Sequence, residues 1–272
     1  MSVATQAISH RSYSQINSVR NCGESYRLER IERVPQRPSC AAVGGVVVHT
    51  ATELVDMMIH QGFGAHRDAL SSDANEAAVT AMDREIDKRT GDYPVEAWKQ
   101  YGRQDIVWFR EVGIPQSIDA YINWRLATGL ELAVLPDFGP AIEVPFSFYL
   151  GQQQVKGFID RVFQTASGEF LLVDLKSGTK PKTDEQLGTY RKALYAGAGL
   201  DVTWGAYLYG LKSGEAKLTP AIDLTHWTDE KLERLYVEGN RLISLGIFIP
   251  HPGDQCIHCS VSSHCQFVQS VV

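Results

Sequence analysis

The segment GFIDRVFQTASGEFLLVDLKSG, residues 157–178, restricts the fold more than any other part of the chain. Two runs rich in Val, Ile, Leu and Phe flank a tight Ala166-Ser167-Gly168 turn, which is the pattern of an antiparallel hairpin. A turn centred on Ser167 pairs residues whose numbers sum to about 334, so Asp160 faces Asp174 within one register step. Directly opposed side chains have Cβ atoms roughly 4.5–5.5 Å apart. Two carboxylates so placed repel each other unless a divalent cation lies between them. Asp174 and Lys176 alternate with Leu175 and share a face, while Phe170-Leu171-Leu172-Val173 reads as core. An acid and an amine thus leave a buried strand together, a costly placement unless they are paired or functional. A structural ion pair would explain the D-x-K triplet alone, but the facing Asp160 calls for a metal.

Around this hairpin the first half of the chain is helical in pattern. Residues 13–33 read as two short helices meeting near Cys22 and Gly23, and residues 44–60 as a helix ending at Gln61-Gly62. Asn75 to Lys88 is amphipathic, Val95 to Phe109 is a less regular helical stretch, and Pro115 opens a helix running to Leu126. From Pro136 onward, Ala141–Leu150, Gln154–Thr165 and Glu169–Lys176 read as a three-stranded meander. A helix over Thr183–Ala196, a strand over Thr203–Tyr209 and a fifth strand or edge segment over Leu218–Leu224 follow. The last helix is expected over Thr228–Leu245, opened by Thr228 with Asp229 and Glu230 and closed by Gly246. This order predicts an α+β or α/β core, a sheet flanked by helices, carrying a helical insertion.

The 272 residues suffice for about two domains or one large one. No repeat and no Pro/Gly/Ser-rich linker divides them, so one interlocked domain is expected, with terminal segments 11–40 and 246–272, a helical region 41–135 and a core 136–245. No 18-residue apolar stretch occurs, and the opening MSVATQAISHRSYSQ lacks the charged and apolar regions of a secretory signal, so a cytoplasmic location without membrane contact is expected. A net charge of −6 argues against coating nucleic acid by bulk electrostatics. Two basic islands remain: six arginines against three glutamates from Arg11 to Arg37, and five Lys/Arg against Asp184 and Glu185 from Lys176 to Lys192.

Of the five cysteines, Cys256, Cys259 and Cys265 crowd together as C-x2-C-x5-C. In a reducing compartment that crowding reads as metal ligation before disulfides. Three thiolates need a fourth ligand, from His258 or His264 for Zn²⁺, or from Cys22 or Cys40 at the other end of the chain.

Three further residues carry two readings each. His49 lies four residues before Glu53 and could make a helix-face hydrogen bond; Gln186 could close a capping box with Thr183, and Tyr190 falls on a packing stripe with Leu187 and Leu194. Equally, Gln186 and Tyr190 share a helical face beside Arg191 and Lys192, and together could grip a phosphate backbone next to a metal.

The order of these pieces resembles the RecB-like branch of the PD-(D/E)XK nucleases. The branch pattern G-x-x-D, hairpin turn, D/E-x-K-x-G and Q-x-x-x-Y is matched by Gly157 to Asp160, Asp174 to Gly178, and Gln186 with Tyr190; its upstream glycine and histidine by Gly45 to His49. The resemblance implies a restriction-endonuclease-like core in which His49, Asp160, Asp174 and the Leu175 carbonyl hold Mg²⁺ or Mn²⁺, and Lys176 orients or helps deprotonate the attacking water. Glu143 stands where the branch often has a supporting acid. A subset, the AddB-type and CRISPR-associated exonucleases, resembles this chain further: an early cysteine, here Cys22, joins a late C-x2-C-x5-C in a [4Fe-4S] cluster that staples the two ends of the chain.

The resemblance therefore implies a metal-dependent DNA exonuclease acting on strands or ends, guided by the helices of residues 62–130. Phosphodiester hydrolysis requires a water of lowered pKa and stabilisation of charge on the phosphate, and a carboxylate-held metal supplies both. No G-x-x-x-x-G-K-[ST] loop occurs, so no nucleotide-driven motor lies in these residues. A stand-alone phage or CRISPR-type nuclease fits best. An inactive DNA-binding adaptor, or a nuclease subunit with a helicase or recombination partner in trans, is the alternative, and a homo-oligomer is open.

Overall fold

The computed structural model describes residues 10–91, 93–100 and 103–268. Residues 1–9, which open the segment read for a secretory signal, and 269–272 of the expected terminal segment lie outside the described residues. The chain forms two compact units, one comprising Pro38–Pro145 and Phe158–His226, the other the residues up to Arg37, Phe146–Gly157 and those from Trp227. The chain passes between the units four times, so neither is a continuous stretch of sequence.

The first unit is a mixed sheet flanked by helices, the α+β class expected. Its centre is the strand Phe170–Leu175. On one side it pairs antiparallel with the Gln153–Gln164 strand, through Arg161↔Val173, Val162↔Leu172, Phe163↔Leu171 and Gln164↔Phe170. These pairs have the register that a turn at Ser167 dictates. Gly168, at φ +86°, makes the turn in a conformation that glycine adopts without strain. On the other side the central strand runs parallel to Trp204–Tyr209, from Leu171↔Trp204 to Leu175↔Leu208. A parallel pair needs a crossover, which the helix Glu185–Ala198 provides. Short strands Lys217–Leu218 and Ile222–Asp223 then add to the edge, two fragments where one was expected.

Strand alternation sends Leu171, Val173 and Leu175 to one face, where they join Phe163, Ala206 and Leu208 in a core with the helices Cys40–His60, Arg67–Arg89 and Ile114–Ala127. The Cys40–His60 helix starts four residues earlier than its periodicity suggests, because Cys40 N–H bonds to the Lys99 carbonyl (2.8 Å) and Cys40 is itself buried. It is long and apolar enough to cross a membrane by length and composition, but half of its apolar stretch is buried within the protein. Gly44 lets the helix approach Phe109 closely: a Cβ there would lie 2.5 Å from the ring. Of the helical stretch expected over Val95–Phe109, in which residues 101 and 102 lie outside the described residues, the structure has a 3-10 turn at Val95–Ala97 and a helical turn at Ile106–Trp108, capped by Asp105, that runs on into a π-type turn at Phe109–Gly113. Pro94, with φ −61° and ψ 153°, precedes the first turn in extended backbone.

In the second unit, Tyr13–Asn21 is a helix with a Ser12/Gln15 capping box, and Cys22 (φ −159°) interrupts it before Gly23–Tyr26. The latter continues as a wide π-type turn, Arg27–Glu32, rather than as a second regular helix. Asp229–Ser244 is strongly amphipathic and is capped by Thr228, whose hydroxyl accepts from Lys231 N–H. Gly23 donates to the Ile249 carbonyl at 2.8 Å, and a Cβ on it would lie 2.5 Å from Ile249 N. Early and late residues therefore lie against each other in this unit. Further links are Arg37 N–H to the Ser260 carbonyl (2.8 Å) and the Ser260 hydroxyl to Glu29 (2.6 Å).

Candidate metal centre

The antiparallel ladder ends at Arg161↔Val173, and Asp160 and Asp174 lie one step beyond it, where the two strands fork. Asp160 reaches across the fork and its Oδ2 accepts from Leu175 N–H at 2.8 Å. The carboxylate thus substitutes for a ladder carbonyl and leaves its remaining lone pairs for another partner. His49 arrives from the Cys40–His60 helix: its Nε2 lies 3.1 Å from the Leu175 carbonyl, and its Nδ1 is 3.7 Å from Glu143 and 3.9 Å from Asp160. It does not pair with Glu53 along its own helix. Ligand atoms of His49, Glu143 and Asp160 all fall within 4.8 Å of one another, the sole such His/Cys/Asp/Glu group among the described residues. Glu143 adopts φ +46°, a left-handed conformation costing a non-glycine residue about 1–3 kcal/mol.

Asp174 is completely buried, and neither of its oxygens has a hydrogen-bonding partner of good geometry, although the Lys176 ammonium lies 2.6 Å from Oδ2. Such a carboxylate is expensive to keep ionised. Burial, then the charge of Asp160, pushes it up to about 7, with Lys176 opposing. Asp160 is raised as well, by burial and Glu143 against the pull of His49 and Lys176, so the pair titrates jointly. Burial disfavours the His49 cation, but Glu143 and Asp160 outweigh it and raise the imidazole above its ordinary value. Several acids sharing buried space, with orphaned oxygens on one of them, are the donor set a hard divalent cation satisfies.

Lys176 also donates to Gln186 Oε1 (3.0 Å), and Gln186 Nε2 donates to the Tyr190 hydroxyl (2.7 Å). Gln186 is therefore occupied at the site and makes no capping box; Asp184 begins that helix without a side-chain cap bond. Tyr190 is held well above the ordinary phenol value by burial, with Asp174 and Asp160 adding, and stays protonated. Arg191 makes a two-pronged pair with Asp201 (2.9 and 3.2 Å) and donates to the Leu224 carbonyl (3.2 Å), so its charge is matched inside the fold rather than held out towards a phosphate. The Lys192 ammonium lies 5.7 Å from the centre of the Tyr195 ring.

Sequence reasoning missed the residues behind the site. Arg161 and Asp56 are fully buried and joined at 2.6 Å, and Glu53, raised by burial and by Glu143, lies within electrostatic reach of His49 and Asp160. The adjacent Asp160-Arg161 was a usable signal: alternation sends the arginine into the core, where it needs an acid.

In the second unit, Ser25 Oγ is 3.6 Å from Cys259 Sγ, and Gly253 N–H points to Cys256 Sγ at 3.4 Å. Burial pushes the Cys265 thiol up, with Glu24 and Cys259 contributing. Cys22, Cys256, Cys259 and Cys265 are all partly buried, and none of them is in a disulfide. Among the described residues, no three of them bring their sulfurs as close together as the His49 group. Cys40 is buried in the other unit's core.

The chain is 32% identical over 263 residues to the Gene 69 protein of Mycobacterium phage D29, covering 94% of this chain and 96% of that one. The Gene 69 protein of Mycobacterium phage L5 is 29% identical over 282 residues, covering 94% and 95%. A crystal structure of a candidate exonuclease from Eubacterium rectale superimposes with a TM-score of 0.47 at 15% identity, covering 96% of this chain and 89% of that one. The sequence profile of the PD-(D/E)XK nuclease superfamily matches residues 10–266, which include the forked aspartates, the lysine, the early terminal segment and the late one as far as residue 266. By that match this chain belongs to the PD-(D/E)XK nuclease superfamily.

Proposed function

We propose that the protein is a Mg²⁺- or Mn²⁺-dependent DNA exonuclease of the RecB-like branch. The observation that carries this reading is the fork at which Asp160 and Asp174 converge with His49, Glu143 and Lys176, leaving both Asp174 oxygens without a proper partner. His49, Asp160, Asp174 and the Leu175 carbonyl would hold the cation, with Glu143 in support. When bound, the cation supplies a more acidic water and offsets charge gathering on the phosphate.

The remaining work falls to the chain itself. Lys176, fixed between Asp174 and Gln186, presents its ammonium where an attacking water or a phosphate oxygen would lie, and Tyr190 keeps Gln186 in position. Arg191 and Lys192 are the proposed contacts to the DNA backbone, and Arg191 would have to leave Asp201 to make one. Phe158, two residues before Asp160 and on the same strand face, is 58% exposed and offers an apolar surface on which a base could stack.

In the second unit, Cys22, Cys256, Cys259 and Cys265 are proposed to hold a [4Fe-4S] cluster, as the resemblance of their spacing to that of the AddB-type and CRISPR-associated exonucleases implies. The hydrogen bonds that bring early and late residues together around them support a staple at this point. A cubane spreads its thiolates over four irons, a wider set than the single tetrahedral ion of the zinc alternative. The phage origin of the two relatives favours action in a host cytoplasm.

The deciding experiment is degradation of end-labelled linear DNA, single- and double-stranded with a closed circular control, by anaerobically prepared protein with Mg²⁺ or Mn²⁺. Loss of linear DNA that needs the metal and disappears in Asp174→Ala is expected. Equal inertness of wild type and variant, with the protein folded, would rule the activity out and leave a binding adaptor.

A further inference from the structure

The buried side of the metal centre carries a charge cluster with no part in the reaction above. Asp56, two turns after His49 on the same helix, accepts from Arg125 Nε at 2.5 Å and Arg161 Nε at 2.6 Å, and also from the Tyr121 hydroxyl. All four side chains are buried, with one negative charge against two positive. A buried ion cluster with a surplus charge is costly unless that charge meets another partner.

The surplus is directed at the metal centre. Arg161 Nη1 donates to the Asp160 carbonyl at 2.6 Å and lies 3.7 Å from the Glu143 carboxylate. Its Nη2 reaches the Thr52 hydroxyl at 3.4 Å, and that hydroxyl donates to the His49 carbonyl at 2.9 Å. One guanidinium therefore touches, directly or through one hydroxyl, each member of the His49, Glu143 and Asp160 group. These residues come from a helix and two paired strands, and Arg161 meets them from the buried side, opposite the contacts that His49 and Asp160 make with Leu175.

We propose that Arg161, clamped by Asp56, is a positioning residue that holds His49, Glu143 and Asp160 around a common centre. The inference rests on the metal-centre reading above. Lysine cannot replace it, because a single ammonium lacks the planar fork that serves Asp56, the Asp160 carbonyl and Thr52 at once. Loss of such outer partners weakens metal binding about 10–100-fold.

The test is calorimetric titration of the full-length protein with Mn²⁺, which needs no turnover, alongside thermal melts. Arg161→Lys should bind Mn²⁺ at least about tenfold more weakly than wild type. Leu70→Ala, a cavity in the same core that removes none of these hydrogen bonds, should lower the melting temperature without moving the Mn²⁺ affinity. Should Arg161→Lys fail to fold, Thr52→Val carries the test: it removes one bond between Arg161 and His49 and should weaken binding about threefold. Unchanged affinity in a folded Arg161→Lys, or in Thr52→Val if that is the variant that folds, would overturn the proposal. Wild-type protein with no Mn²⁺ binding dependent on Asp160 would instead overturn the metal-centre reading, and the positioning role with it.

Discussion

Asp160 closes the fork of the central hairpin by accepting the Leu175 N–H at 2.8 Å. The same carboxylate is thus a structural acceptor and a candidate cation ligand, and two substitutions separate the roles. Asp160→Asn keeps an oxygen for Leu175 and removes a charge beside Asp174, so the metal-free protein should be at least as stable as wild type. Asp160→Ala strands a buried N–H, at a cost of about 1–3 kcal/mol. Both should lose Mn²⁺ binding. Denaturant unfolding with calorimetry measures both effects, and equal stability of the two variants would show that Leu175 finds another acceptor.

Asp174 makes the metal-free fold sensitive to pH. Its ordinary value is 3.8, while burial and Asp160 raise it to about 7 in the fold. Between those values the folded chain holds a proton that the unfolded chain has released, so stability falls as pH rises through the window. His49 acts in the same direction: its raised value stabilises the fold below about 6.5, an advantage lost as pH rises through its folded value. The metal-free melting temperature should therefore be higher near pH 5.5 than near pH 8, with Asp174→Asn flattening the profile. Mn²⁺ affinity should run the other way, rising with pH as the cation displaces roughly one proton.

The hairpin was legible because two local rules agree on it. The Gly168 turn fixes the register, and alternation fixes which residues face the core, so the Asp160 and Asp174 relationship needed no long-range information. The crossover helix and capped Thr228 helix followed from similar local chemistry. Alternation marks Arg161 as a core residue, but its partner Asp56 was not legible, because 105 residues separate them and an acid on a helix resembles a surface charge. The left-handed Glu143 and the π-type turn after Tyr26 run against local propensity, so pattern reasoning does not report them. The two readings of Gln186 separate only once Lys176 is seen 3.0 Å from it.

The Lys176, Gln186 and Tyr190 chain predicts graded losses of rate. Lys176→Met removes the ammonium at the reacting centre and should lower kcat by at least about 10²-fold. Gln186→Ala frees the lysine to wander and should cost about tenfold, chiefly in kcat. The Tyr190 hydroxyl accepts from Gln186, so the effect of Tyr190→Phe should shrink in the Gln186→Ala background. Full additivity of the last two would mean that Tyr190 contacts the substrate itself.

The cysteines make a prediction independent of turnover. Protein purified without oxygen should contain about four irons and four acid-labile sulfides per chain, with a broad visible absorption. Serine at Cys22 should lose that absorption as completely as serine at Cys256, Cys259 or Cys265, whereas Cys40→Ser should keep it and only lower stability, since Cys40 lies in an apolar core. Zinc in place of iron in the anaerobic protein would set the cluster assignment aside.

Glu143 holds a backbone conformation that its side chain disfavours, next to the Asp160 carboxylate. A stability-driven sequence would place glycine there, so an unfavourable backbone at this position is best explained by what the carboxylate does. Glu143→Gly relieves the backbone but removes an acid 3.7 Å from both Arg161 and His49, so its gain shows against Glu143→Ala, which loses the same contacts and keeps the strain; without metal the glycine variant should be the more stable by about 1 kcal/mol. The same variant should bind Mn²⁺ more weakly, because one oxygen donor has gone from the centre. Glu143→Ala separates the effects: it loses the donor but keeps the strained backbone, and should match the glycine variant in Mn²⁺ affinity while melting at a lower temperature. If the two variants melted together, the left-handed backbone would carry no strain at this position.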